Sequence, residues 1–176
     1  MRFTETELKG AWVVDLEPQK DFRGFFSRTF CQKEFSQHGL QTAYVQTNTS
    51  WNEKRGTLRG MHYQRPPHSE VKLVRCTRGA IYDVIIDLRP GSPTFCKWLG
   101  FELTAENRRT LYVPEGFGHG YQTLVPDAEV FYMVSAFYAP GAEGGVRWND
   151  PRFGIRWPVA ELILSPKDAA HPDFVP

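Results

Sequence analysis

The sequence predicts an all-β fold, an antiparallel double-sheet jelly roll with a few short helices, and three observations carry that expectation. Short apolar runs recur along the chain, punctuated by 15 glycines and 13 prolines. That spacing belongs to a sandwich or barrel. The clearest run, Ala80 to Arg89, alternates: Ala80, Tyr82, Val84, Ile86 and Leu88 share one parity, and Ile81, Asp83, Ile85, Asp87 and Arg89 share the other. It reads as a strand with one apolar and one mixed face. Helix signals are few: a piece from Gln32 to Gln37, and Ser165-Pro166-Lys167-Asp168, where Ser suits an N-cap and Pro the first helical position.

The remaining elements follow from the same rules. Val71 to Thr77 and Val130 to Tyr138 are expected as strands. In the second, Tyr132 and Tyr138 share a parity and are expected on one side. Turns are marked by Arg78-Gly79, by Pro90-Gly91-Ser92-Pro93 and by Pro114-Glu115-Gly116. No linker or repeat interrupts the 176 residues, so one domain over 1–176 is expected.

Composition excludes some classes of function. With 21 basic and 20 acidic residues the net charge is +1, which gives no general reason to expect nucleic-acid or membrane binding. Cys31, Cys76 and Cys96 are odd in number and never at CxxC spacing, which argues against a disulfide framework or zinc knuckle and for a reducing compartment. The start, Met1-Arg2-Phe3-Thr4-Glu5, lacks the apolar core of a signal peptide, and no apolar run is long enough to span a membrane. A cytoplasmic protein is expected.

The chemistry concentrates in two stretches. Gly56 to Gln64, followed by Pro66-Pro67-His68 and Val71-Lys72-Leu73-Val74, brings Arg59, His62 and Lys72 within 14 residues on successive strand-like segments. Pro114 to Gly120 has the P-x-G-x-x-H form of the second motif of cupin barrels. Metal cupins supply an H-x-H pair and a nearby Glu from the first motif. Here the pair is reduced to His62-x-Gln64, and Glu70 lies too far along. Two histidines are too few for a catalytic metal, which takes three or four ligands. The expectation is a cupin barrel that works without metal.

Over nearly its whole length the chain resembles the dTDP-4-dehydrorhamnose 3,5-epimerase family. The resemblance rests on segments in order: Arg23-Gly24-Phe25-Phe26, Leu58 to Gln64, Lys72-Leu73-Val74-Arg75, Asp83-Val84 with Asp87-Leu88-Arg89, and Ser92-Pro93-Thr94-Phe95. Ala105-Glu106-Asn107, Val113 to Gly120, Tyr138-Ala139-Pro140, Arg147 to Pro151, Gly154 to Pro158 and Leu164 to Asp168 follow. It implies inversion of C3 and C5 of a nucleoside-diphosphate-linked 4-keto-6-deoxyhexose, by enolisation and reprotonation from the opposite face, with no cofactor.

The resemblance also implies roles. His62 matches the base, a task suited to an imidazole at neutral pH. Asp168 matches the carboxylate that pairs with that base, although its spacing from Ser165 equally suits a helix start. Lys72 matches the cation beside the enolate oxygen, and its parity with Val74 and Cys76 points it inward. Tyr132 matches the general acid, and His119 a histidine of the substrate site. Arg23 and Arg59 match residues holding the diphosphate, a use suited to the guanidinium fork. Gln46 and Asn48 match nucleotide contacts, Tyr138 an aromatic that stacks on the base, and Glu143 and Lys167 further substrate contacts. Each of these residue types has a plainer use, as core packing or a solvated charge.

Four positions depart from the family pattern. Arg28, at a substrate-binding position, stands where Glu is usual, Met133 where Lys is usual, Thr49 where His is common and Ala136 where an acid is common. These changes bear on substrate identity more than on reaction type. A relative inverting only C3 or C5 on another nucleotide sugar retains the same proton-transfer residues. A metal-dependent cupin lacks its H-x-H pair here, and a non-catalytic binder has no need of an acid and a base. The N-terminal third carries strand-like apolar sequence such as Ala11-Trp12-Val13-Val14, which a compact barrel is expected to leave partly unburied. With the resemblance, this implies a homodimer whose N-terminal strands, with Arg23, cross to the partner.

Overall fold

The computed structural model describes residues 1–176 and consists of two facing antiparallel sheets. The first has the order β1 (Arg2–Glu5), β2 (Trp12–Asp15), β10 (Thr110–Val113), β7 (Lys72–Arg78), β12 (Ala128–Val134) and β5 (Gln46–Asn52). The second has the order β13 (Glu143–Gly145), β6 (Leu58–Gln64), β11 (Phe117–Thr123), β8 (Ala80–Asp87) and β9 (Trp98–Thr104). A separate hairpin pairs β3 (Gln19–Asp21) with β4 (Gly24–Phe26). Helices α1 (Gln32–Gln37) and α2 (Pro166–Ala169) and a 3-10 turn at Pro140–Ala142 complete the chain. This is the cupin jelly roll, and no helix is long and apolar enough to cross a membrane.

Three apolar clusters explain the layering. Between the sheets, Val74, Cys76, Ile81, Ile85, Leu103, Leu111 and Val130 belong to a buried core of 14 residues that fills one end of the barrel. Removing such a side chain, as in Ile85→Ala, typically costs 2–5 kcal/mol. Outside the first sheet, α1 lays Phe35 on Val14, Leu73 and Tyr112. Outside the second, Val146 and Phe153 cover Met61, Val84 and Ile86. Strand β8 is therefore buried on both faces. Its apolar parity meets the C-terminal segment, and its mixed parity, with Ile81, Asp83 and Ile85, faces the interior.

Two expectations need correction. Ala11 and Val14 are fully buried and Val13 nearly so, because Ala11 and Val13 join the core between the sheets and Val14 lies under Phe35 of α1. The unburied apolar groups lie further on, at Phe22, Phe25 and Phe26 around the hairpin. Strand β12 ends at Val134, so Tyr138 lies beyond it and the parity shared with Tyr132 does not extend that far.

A bulge shapes the second sheet. His119 pairs with His62 and Tyr121 with Arg59, so β6 carries one extra residue between its paired positions. Residues three apart on a regular strand face opposite sides; the extra residue turns Arg59 and His62 to the same side. Gly60 makes this possible. Its φ is +137°, and a Cβ there would lie 2.5 Å from the Cα of Gly120.

Candidate active site

At the barrel end that the apolar core leaves open, β6 and β12 finish and β5 and β7 begin. A cavity of about 340 Å³ lies there, with walls from both sheets. The first sheet contributes Gln46, Asn48, Lys72 and Tyr132, and the second contributes His62, Gln64 and Glu143, with Glu70 and Tyr138 on flanking loops. His62 and Tyr132 thus approach the same space from opposite sheets.

His62 and Asp168 meet across 106 residues of sequence, with Nε2 2.5 Å from Oδ1. Asp168 is buried, and its own N–H donates to Ser165 Oγ at 3.1 Å. Both uses of Asp168 therefore coexist: the Ser165 cap sets the helix, and the helix aims the carboxylate at His62. Burial alone would push the Asp168 carboxyl up. The hydrogen bonds from His62 and Ser165 outweigh it and hold the group below the usual carboxylate range. The pairing fixes the imidazole tautomer: Nε2 donates to Asp168, and the Nδ1 lone pair is free.

Lys72 and Glu70 form a largely buried pair at 3.3 Å. Burial pushes the Tyr132 phenol up, helped by Tyr121 and Glu70 and opposed by Arg59, so Tyr132 holds its proton and is suited to donate it. Gln64, at the degraded metal-ligand position, braces the rim instead. Its Nε2 donates to His68 O at 3.0 Å, and its Oε1 accepts from Ala139 N at 2.7 Å. Tyr138 sits half-exposed at the mouth, donating its hydroxyl to Glu143 at 2.9 Å and its N–H to Gln46 at 2.8 Å. Lys167 reaches the same Glu143 at 2.7 Å.

Not every expected site residue lines this cavity. His119 is buried behind the wall, with Nε2 2.9 Å from Asp83 Oδ2. Arg59 stands beside β5, its Nε donating to Asn52 at 2.8 Å. Arg23 is wholly exposed on the β3–β4 hairpin and pairs with Asp21 at 2.6 Å. Arg28 lines a different hollow with Glu17, Gln19 and Glu34. Among the departures from the family pattern, Met133 packs into the outer cluster and Thr49 is exposed. The sequence reading missed two residues. Glu70 lies two residues before Lys72, just outside β7, and His171 three after Asp168, just beyond α2. Either spacing was a usable signal.

Comparison with known proteins identifies the family. A family model described as dTDP-4-dehydrorhamnose 3,5-epimerase matches residues 5–175. The enzyme of that name from Shigella flexneri is 43% identical over 176 residues, covering 99% of this chain and 97% of the relative. The crystal structure of dTDP-4-dehydrorhamnose 3,5-epimerase from Elizabethkingia anophelis superposes with a TM-score of 0.96 at 40% identity, covering 99% of this chain and 96% of that one. That from Bacillus anthracis, with TDP and PPi bound, gives 0.95 at 42% identity, covering 98% and 99%.

Proposed function

Because the chain belongs to the dTDP-4-dehydrorhamnose 3,5-epimerase family, we propose that His62, Asp168, Tyr132 and Lys72 invert C3 and C5 of a dTDP-linked 4-keto-6-deoxyhexose, giving dTDP-4-dehydrorhamnose. The reaction is an isomerisation, and no cofactor enters it. The observation that carries the assignment is the entry of His62 and Tyr132 into one cavity from opposite sheets. Epimerisation needs that arrangement, a base on one face of a carbon and an acid on the other.

The steps follow from the geometry. His62 Nδ1 takes the proton from a carbon beside the C4 ketone, and the C–H electron pair moves onto the ketone oxygen. Asp168 stabilises the imidazolium that forms. The Lys72 ammonium faces the enolate oxygen, where fixed charge favours the transition state over the ketone. Tyr132 then gives its phenolic proton to the opposite face of the carbon. Tyr132 regains a proton and His62 loses one to solvent, and the cycle repeats at the second carbon.

Gln46, Asn48, Tyr138, Glu143 and Lys167 surround the mouth, where the nucleotide half of the substrate extends. Arg59 and His119 support the same site from beside and behind it. We assign Arg23 and Arg28 to the site of a partner subunit in a homodimer with exchanged N-terminal strands. The hairpin that carries Arg23 buries almost nothing on its own chain, and an isolated two-stranded hairpin is at best marginally stable. The three unpaired cysteines support a cytoplasmic setting, and the span of the family match supports residues 1–176 as one catalytic unit.

The test is NMR of dTDP-4-keto-6-deoxyglucose in D2O. The wild type is expected to bring deuterium into C3 and C5. His62→Ala is expected to lose exchange at both, by roughly 10²–10⁴-fold. Normal exchange by that variant would show that the base lies elsewhere.

A further inference from the structure

Three side chains converge beside the cavity, of which only His62 lines it, and proton transfer uses only two of them. Asp168 lies between two imidazoles. His62 Nε2 is 2.5 Å from Oδ1, and His171 Nε2 approaches the same oxygen at 3.6 Å. The His171 ring stands edge-on to that of His62, with centroids 5.4 Å apart at 74°. It is held firmly, since a Cβ on Gly145 would fall 2.2 Å from its Cε1. Yet its Nε2 is buried with no hydrogen-bond partner, a condition that typically costs 1–3 kcal/mol. His171 is therefore a ligand atom held in position with nothing to bind.

We propose that His62, Asp168 and His171 form an inhibitory site for a divalent transition cation of the zinc class. One ligand atom from each lies within 4.8 Å of the others. Two imidazoles and a carboxylate are a three-ligand zinc set, leaving one position for water. Tetrahedral zinc bonds of about 2.0–2.2 Å set ligand atoms about 3.4 Å apart, so His171 is near its place at 3.6 Å from Asp168, while His62 and Asp168, at 2.5 Å, part by about 1 Å through side-chain rotation. Magnesium and calcium, which take oxygen ligands, fit it poorly.

Inhibition follows from the tautomer, and so rests on His62 being the base. The neutral imidazole carries one ring proton, placed on Nε2 by Asp168. A cation on Nε2 moves that proton to Nδ1 and removes the lone pair that meets the substrate C–H. The site thus differs from the metal position of metal cupins, whose second histidine corresponds to His119, here bonded to Asp83.

The experiment titrates full-length protein with Zn²⁺ by calorimetry and follows epimerase activity in parallel. The wild type is expected to bind one equivalent, to lose activity as it binds, and to recover it with chelator. His171→Ala and His171→Gln are expected to weaken binding, and to raise the zinc concentration needed for half inhibition, by roughly 100-fold or more. His68→Ala, at an exposed histidine away from the cluster, is expected to match the wild type. Equal zinc sensitivity in wild type and both His171 variants would overturn the site, as would no stoichiometric binding. Stoichiometric binding that depends on His171 but leaves turnover undiminished would leave a cation site and overturn its inhibitory action, and with it the role of His62 as base.

Discussion

The barrel mouth and the β3–β4 hairpin both carry charged residues assigned to the substrate, and they are built in opposite ways. At the mouth the charged pairs either join distant segments, His62 with Asp168 and Lys167 with Glu143, or are largely buried, as Lys72 is with Glu70. On the hairpin Arg23 meets only Asp21, two residues back, and Phe22 and Phe26 are 97% and 69% exposed. The mouth is preorganised within one chain. The hairpin leaves its apolar side chains exposed. Groups that perform chemistry must be held within fractions of an ångström by a packed scaffold, whereas groups that hold a diphosphate can arrive on a neighbouring subunit.

The comparison can be tested from its strongest side first. Tyr132→Phe keeps the barrel packing and removes only the donated proton. Inversion is expected to fall by roughly 10²–10⁴-fold while deuterium exchange persists, because His62 still forms the enolate. Tyr132 must be protonated to act, and its phenol is held above the ordinary value of 10.0. Activity should therefore persist through pH 10 and decline only above it, and Tyr132→Phe should lack that decline. A wild-type profile already falling well below pH 10 through loss of the acid would contradict the assignment.

On the hairpin side the effects should be smaller and should appear in binding. Arg23→Ala is expected to raise KM by roughly 10–100-fold with kcat nearly kept, the scale of one charged hydrogen bond. Dilution of the wild type to monomer should mimic it. Light scattering that showed a fully active monomer would refute the exchanged dimer. Smallest of all is Arg28→Glu. Arg28 is exposed and 3.9 Å from Glu34, so stability should hardly change. A carboxylate accepts hydrogen bonds where a guanidinium only donates. The ratio of kcat/KM for dTDP- over UDP-, CDP- and GDP-linked 4-keto sugars is therefore expected to move by roughly fivefold, about 1 kcal/mol. An unchanged ratio would mean that Arg28 plays no part in choosing the nucleotide.

Much of this was legible because its signals are local. The alternation of β8, the bounds of α1 and the Ser165 cap of α2 depend on neighbours within a few residues, and all three appear as expected. What failed depends on distance. Parity counting placed Tyr138 with Tyr132, but β12 stops at Val134, and a turn rather than a strand brings Tyr138 to the cavity. Nothing local announces the bulge at Gly60, which exists because Gly120 approaches from another strand. Ala11 to Val14 looked like surplus apolar surface because the residues that cover it, Val113 and Val130 among the core and Phe35 on α1, lie far along the chain. Glu70 and His171 escaped notice because their importance lies in what they touch, Lys72 and Asp168.

Asp168, which we assign as the partner of the base, sits on a helix of only four residues, α2. A helix this short has no stability of its own and persists through its Ser165 cap and its attachment to the barrel. The sheets, by contrast, are tied by long ladders and a shared core. Opening of α2 therefore takes far less free energy than melting of the barrel. Function and fold are therefore expected to part company under stress: in mild urea, activity should be lost while the sheets keep a native circular dichroism signal, and should return on dilution.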